Sequence, residues 1–598
     1  MCGVVALIAY AANAPPVSRG ELLRIRDAMA SRGPDGSGEW VSADGRVALG
    51  HRRLAIIDLS PGGAQPMASA DGALRITFNG EIYNYRELRA ELEQKGRHFR
   101  SSSDTEVILQ LYEEEGAAML PRLRGMFAFA LWDERRRGVL LARDPMGIKP
   151  LYYADDGTLR VASQVKALVA GGAVPTRLGP AGCVSFFLFG CVSDPFTIRD
   201  AVRALPAGHS LWVDAAGPGA PRPFFSIRDV FAAAEGEAAA LTPERRQDLL
   251  RASLAESVAA HLVADVPVGV FLSAGYDSTS VTALAAELSA RLQTLTLGFA
   301  EYRGGDEDEV PVAEEVARAF GADHKTMWID REDFVAQQER LFAAMDQPTT
   351  DGANTYLVSR VAAQARLKVA LSGLGGDELF GGYPSFRQVP KLARWLRPLQ
   401  PLPAVGRTVR ILSSRLIRSH LSPKFAGLIE YGTAVEDAYL LRRALYMPWE
   451  LPKLLDPELV RAGWSALKPL ISLRESVAGL RRDHVRVAVL EMSWYMRNQL
   501  LRDTDWAGMA HSVEVRTPLV DAVLLRQLAP LLYGAPAPSK LDMARATPVR
   551  RLEPVLARRK TGFTVPVREW LLGESGAGGE HGFRAWAKYV FRQYLPAI

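Results

Sequence analysis

The chain has 598 residues, 48% of them hydrophobic and 23% charged, which excludes a disordered, collagenous or coiled-coil protein. Its 72 lysines and arginines stand against 67 acidic residues, and the resulting +5 is too slight over this length to argue for nucleic acid or an anionic membrane as partner. The three cysteines, Cys2, Cys183 and Cys191, are too few for a disulfide framework or a cysteine-rich zinc site; buried thiols are expected at the last two.

The first residues, MCGVVALIAYAANAPP, form an apolar run with no basic leader, too short to cross a bilayer. They read as a first strand rather than a signal peptide, and a cytoplasmic location is the expectation. VALGHRRLAIIDL, LRITFNGEIY, FAFALWD and GVLLARDP follow as further strands, punctuated by Gly, Asp and Asn. NYRELRAELEQKG and SDTEVILQLYEEEG have the three-to-four spacing of amphipathic helices, each stopped by a glycine. SFFLFGCV, near 185–192, has the length of a core strand or helix.

AAGPGAPRP and FAAAEGEAAALTPE have the composition of a tether, so the chain divides into 2–214, a linker at 215–240, and 241–598. In the last part VPVGVFLS, QTLTLGFA and RLKVALSG are short apolar strands set between long helices, the pattern of a parallel sheet covered on both faces. Beyond about residue 385 the chain is mostly helical, and after GESGAGGEHG at 573–582 one more aromatic-rich helix, FRAWAKYVFRQYL, is expected. Nine histidines form no metal-binding pattern.

Cys2 follows the initiator methionine, and its removal would leave a thiol nucleophile and an α-amine base on one residue. In FNGEIYN, Asn79 supplies a side-chain amide and Gly80 a backbone N–H, the donor pair of an oxyanion hole. Arg53 offers a fork for a carboxylate and Asp104 a counter-charge for an ammonium, which together describe an amino-acid pocket. Each residue has a plainer reading: a small buried thiol, a turn, a surface arginine and a helix cap.

MCGVVA, RGPDG, GHRRLAIID, FNGEIYN, SSDTE, GMFAFALWD and ARDPMGIKPLYY, in that order, resemble the glutaminase domain of the class II glutamine amidotransferases, in particular the asparagine synthetase branch. The resemblance implies an α/β two-domain protein whose first domain is an N-terminal-nucleophile (Ntn) hydrolase αββα sandwich. There Cys2 would attack the side-chain amide of glutamine, with Arg53, Asn79, Gly80, Glu81 and Asp104 at the glutamine-binding positions.

VPVGVFLSAGYDSTSV runs from a strand through a small-residue loop into a helix, a natural anion cradle without the lysine of a Walker loop. It resembles the pyrophosphate loop of the ATP pyrophosphatases, with Ala274 in place of a glycine, and implies an adenine-nucleotide alpha-hydrolase-like second domain with a helical extension. On that resemblance Leu272, Ser273, Gly275, Asp277, Ser278, Leu297, Ser372 and Gly373 contact ATP, Asp277 and Asp377 hold Mg²⁺, Lys540 lies beside the reacting phosphates, and Lys560 is a second phosphate contact. MAHSVEVRTPLVD, with Leu519 and Val520 where the pattern has Phe and Leu, and RRKTGFTVP extend the match over nearly the whole chain.

One position departs from the pattern. Leu374, in SGLGGDELFGGY, replaces an acidic residue expected near the acyl-adenylate, and Asp346 or Asp351 is the candidate substitute. The implied activity is conversion of L-aspartate, L-glutamine, ATP and water to L-asparagine, L-glutamate, AMP and pyrophosphate by a homodimer. The alternative suggested by Leu374 is the same chemistry on another carboxylate: a sugar acid, a peptide or a secondary metabolite.

Overall fold

The strand Gly3–Ile8 is buried along its whole length, so its two faces must meet different layers. In the computed structural model, which describes residues 2–237, 242–401, 403–417, 422–534, 536–551, 555–556, 570 and 582–595, they do. Val4, Ala6 and Ile8 pack against Ala130, Trp132 and Leu141 of a second sheet, while Val5 and Leu7 pack against Leu22 and Ile25 of the helix Arg19–Asp27. The first sheet is antiparallel and six-stranded, with Gly3–Ile8 between Val47–Arg53 and Leu159–Ala162. The second has seven strands, six of them in line and one paired off that line, among them Leu74–Ile82, Gly125–Asp133 and Gly138–Arg143; its outer face carries Ile76, Phe78 and Phe129 onto Val107, Ile108 and Leu111 of the helix Asp104–Glu115. Helix, sheet, sheet and helix therefore stack in that order.

The later part is built on a five-stranded sheet, parallel throughout, ordered Asp323–Ile329, Gln293–Phe299, Val268–Phe271, Val369–Leu371, Glu514–Arg516. The chain first adds strands on one side of Val268–Phe271 and then on the other. The loops leaving Val268–Phe271 and Val369–Leu371 consequently diverge, opening a crevice at their carboxyl ends.

The structure decides between the two forms left open for one segment and corrects the expectation for another. SFFLFGCV lies within and just beyond the helix Pro180–Phe189, begun by a proline and ended by left-handed Gly190. The 215–240 segment is no loose tether: Gly217–Pro218 and Arg222–Pro223 pair with the second sheet, and Ile227–Glu237 is a helix. Ile227, Phe231 and Ala234 recur at helical spacing and are buried in the core that includes Leu524 and Leu528; the Ala/Gly/Glu-rich composition hid that period. Residues 238–241 and most of 573–582 fall outside the described residues. All three cysteines are buried and free, and no described helix is long and apolar enough to cross a membrane.

The two halves meet through buried ion pairs. Arg32, fully buried, donates to both carboxylate oxygens of Asp505 at 2.7 and 3.1 Å. Asp194 takes Arg143 from its own half at 2.7 Å and Arg502 from the other at 2.6 Å. Removing one partner leaves the other charge buried and uncompensated. Asp505→Ala should therefore destabilise the protein by about 3–5 kcal/mol, read as a lower urea midpoint for the first unfolding transition; an unchanged midpoint would show that Arg32 is satisfied without it.

Candidate active sites

Cys2 lies just beyond the strand Gly3–Ile8, and the register that sets Gly3 opposite Arg52 brings Cys2 beside Arg53. The Cys2 N–H donates to Asn79 Oδ1 at 2.8 Å, which fixes the orientation of the Asn79 amide. Asn79 is fully buried, and its Nδ2 has no hydrogen-bond partner among the described residues. An unpaired buried amide beside a thiol is costly unless something arrives to accept from it, so this nitrogen suits an oxyanion. Gly80 follows with φ at +155°, and a Cβ there would stand 2.1 Å from the Met126 carbonyl oxygen. Only glycine lets this strand approach Gly125–Asp133 so closely.

Asp104 opens the helix Asp104–Glu115, but Ser103 caps that helix; the Asp104 carboxylate instead accepts from the Ile82 N–H at 2.9 Å. Burial pushes its pKa up to about 6, a cost that an incoming ammonium would relieve. Arg53 donates to the carbonyls of Asp58 and, at 3.1 Å, Ser60, and no described carboxylate lies within ion-pair distance of it. The Cys2 thiol is pushed up by burial, so it is not a standing thiolate and must lose its proton as it attacks. Arg32 donates to the Cys2 carbonyl at 3.0 Å, which ties the nucleophile to Asp505 of the other half.

The strand Glu514–Arg516 is the wall between this site and the crevice. Alternation sends Glu514 and Arg516 to one face and Val515 to the other. Arg516 donates to Glu514 at 2.7 Å and lies 3.6 Å from Glu81, whereas Val515 lines the crevice. Burial opposes the charge on Glu514, but Arg516 outweighs it and holds that carboxyl well below the usual range; Glu81 is pushed well above it by burial and by Glu514. Arg516 and Glu514 had only a motif match as their signal in the sequence.

The crevice encloses about 320 Å³, and Leu272, Ser273, Gly275, Asp277 and Ser278 line it from one loop. Leu297, Ser372, Gly373 and Asp377 join them from neighbouring strand ends. Ser273 N–H donates to Ser278 Oγ at 3.1 Å, closing the loop on the first turn of the helix Tyr276–Leu288. Ala274 is buried and keeps a negative φ, so the loop forms without its customary glycine. Gly373 is where the two loops touch: a Cβ there would stand 2.6 Å from the Ser278 nitrogen. Lys540 begins the helix Lys540–Ala546 behind a Ser539–Asp542 capping box, and its ammonium bridges Asp277 and Asp377, the latter at 2.6 Å. Burial opposes that charge, but the two carboxylates outweigh it and hold the lysine above its usual pKa. Lys560 lies outside the described residues.

Leu374 lines the same crevice, and so does Asp351. Asp346 does not: its carboxylate accepts from the N–H groups of Val165 and Lys166, both at 3.0 Å, and caps the helix Val165–Ala170 of the first half. Of the two candidate substitutes, only Asp351 reaches the crevice. Glu378 and Asp503 line it as well, each pushed up to about 8 by burial and then by a neighbouring carboxylate, Asp377 and Asp351 respectively. Glu378 could have been found as the neighbour of Asp377; Asp503, on a helix distant in sequence, carried no local signal.

Residues 1–224 match the glutamine amidotransferase domain family and residues 249–578 the asparagine synthase family. Asparagine synthetase (glutamine-hydrolyzing) 1 of Bacillus subtilis is 32% identical, over 96% of this chain and 88% of its own length. Asparagine synthetase (glutamine-hydrolyzing) 3 of the same organism is 30% identical over 92% and 86%. Asparagine synthetase B (glutamine-hydrolyzing) of Escherichia coli is 34% identical over 65% and 66%. With a thiol site and a loop-lined crevice set back to back across one strand, and with relatives that run nearly end to end, the chain belongs to the glutamine-hydrolysing asparagine synthetase family.

Proposed function

We propose that the protein moves the amide nitrogen of glutamine onto the side-chain carboxylate of aspartate at the expense of ATP. The observation that carries this reading is the shared wall: one three-residue strand turns Arg516 toward Glu81 and Val515 into the crevice. Ammonia released on one side then has a short way to the other. Ammonia in neutral water is mostly protonated and only its small unprotonated fraction is nucleophilic, so an internal handover lets the reaction run without a high concentration of ammonium.

In the first half, Cys2 Sγ attacks the glutamine amide carbon while its proton passes to the α-amine of the same residue. Asn79 Nδ2 and the Gly80 N–H receive the oxyanion, Arg53 the α-carboxylate and Asp104 the α-ammonium. The leaving nitrogen takes the proton and departs as ammonia, and water hydrolyses the γ-glutamyl thioester to glutamate. In the second half, aspartate's side-chain carboxylate oxygen attacks the α-phosphorus of ATP and pyrophosphate leaves. Ammonia then attacks the acyl carbon and AMP leaves. Ser273, Gly275, Ser278, Ser372 and Gly373 cradle the phosphates, Leu272 and Leu297 flank the nucleotide, and Lys540 offsets charge on the departing pyrophosphate, with Lys560 as the second phosphate contact.

Asp277 and Asp377 suit Mg²⁺: they are hard oxygen donors, two in number, facing one ammonium that already occupies the point between them. When bound, Mg²⁺ neutralises phosphate charge, and the two aspartates would hold it. The same reading takes 2–214 as an Ntn-type glutaminase, 215–240 as the connection, and 241–598 as an ATP-pyrophosphatase-type synthetase, working as a cytoplasmic homodimer.

Cys2→Ala should abolish glutamine-driven amide formation while ammonium salts still support it; retention of the glutamine-driven rate would remove Cys2 from the mechanism. Asn79→Ala should lower kcat for glutamine hydrolysis by about 10²–10³-fold, the loss found when one oxyanion donor is deleted. Pyrophosphate release measured across an acceptor panel should be fastest with aspartate, with asparagine as product. Release with a sugar acid but not with aspartate would transfer the chemistry to that acceptor.

A further inference from the structure

Away from both sites, two helices turn arginines toward one cleft at the meeting of the halves. On Arg331–Ala344 the residues Gln337, Arg340 and Ala344 recur at helical spacing, and on Ala353–Gln364 so do Tyr356, Arg360 and Gln364. Lys166 and Ser31 close the cleft from the first half, and Trp506 and His511 from the second, around about 630 Å³. Its lining carries two guanidinium groups and one ammonium, and no carboxylate.

Among the described residues neither arginine makes an ion pair, and Arg360 Nε is buried without a hydrogen-bond partner. Lys166 donates to the carbonyls of Ala343 and Ala344 at 2.9 and 2.7 Å, neutral groups that leave its charge in place. Asp346 is the carboxylate acting on Lys166, and its oxygens are taken by two backbone N–H groups. Arg340 and Arg360 both act electrostatically on the Tyr356 hydroxyl, so both fields converge within the cleft. His511 is held neutral at about 4 by burial and then by Arg360, and adds no charge of its own. Arg340 is exposed and Arg360 and Lys166 are half-buried, so the three like charges repel one another through partly screened fields, and an anion set between them relieves that repulsion.

We propose that this cleft binds a small oxyanion of two or more negative charges, a phosphate ester or a polycarboxylate, between Arg340, Arg360 and Lys166. Such a ligand touches both halves, and through Ser31 it lies one residue from Arg32, which holds the Cys2 carbonyl. It would brace the docked arrangement of the halves, a role separate from glutamine hydrolysis and adenylation.

The test is calorimetric titration of the full-length protein at low ionic strength, with inorganic phosphate and separately with citrate. The wild type is compared with Arg340→Ala/Arg360→Ala, and with Arg340→Gln/Arg360→Gln in case the first variant fails to fold. Loss of one binding site, or at least a tenfold weaker dissociation constant, is expected for one or both anions. Phosphate alone responding identifies a phosphate ester, and citrate alone a polycarboxylate. Isotherms that superimpose for both anions would overturn the proposal; any phosphate held by the Ser273–Ser278 loop is common to all variants and cancels in the comparison.

Discussion

A charge taken out of water must meet a partner at good geometry or it destabilises the fold, and the join between the two halves of this protein sets such charges beside a shared apolar core. Arg32 grips Asp505, Arg502 and Arg143 share Asp194, and Arg516 lies between Glu514 and Glu81. Apolar surfaces tolerate a slide of an ångström or two, but a buried guanidinium facing a buried carboxylate does not. These pairs favour the docking seen, which sets a thiol and a crevice on opposite faces of one short strand.

Topology does the rest of the positioning. In the first half an antiparallel sandwich puts Cys2 at the tip of a central strand and Asn79–Gly80 on the facing sheet, so nucleophile and oxyanion donors come from different layers. In the second half the reversal of strand order parts two loops and leaves space for a nucleotide. Gly80 and Gly373 mark close approaches at the two sites, each where a methyl group would collide with backbone.

Five strands and two helices of the first half were legible from their apolar runs and spacing, whereas the helix Arg19–Asp27 and the strand Leu159–Ala162 were not. The apolar runs of the three central parallel strands were legible too, though not their order in the sheet. The helix Ile227–Glu237 was not, because alanine and glycine obscured an apolar face that matters only once the core around Leu524 exists to receive it. The chemistry split the same way. Cys2, Asn79, Asp277 and Asp377 could be picked out from local pattern and resemblance, whereas Asp503 reaches the crevice only through tertiary packing. Asp346 and Asp351, five residues apart, were equivalent in sequence; folding made one a helix cap and the other a wall of the crevice.

The central claim is that nitrogen released at Cys2 is consumed in the crevice of the same protein without passing through solvent. The direct measurement supplies glutamine labelled with ¹⁵N in its side-chain amide, together with ATP, aspartate and an excess of unlabelled ammonium, and determines the isotope in the amide product by mass spectrometry. Retention of the label in most of the product is the predicted result. Product carrying the isotope ratio of the mixed solvent pool would contradict it.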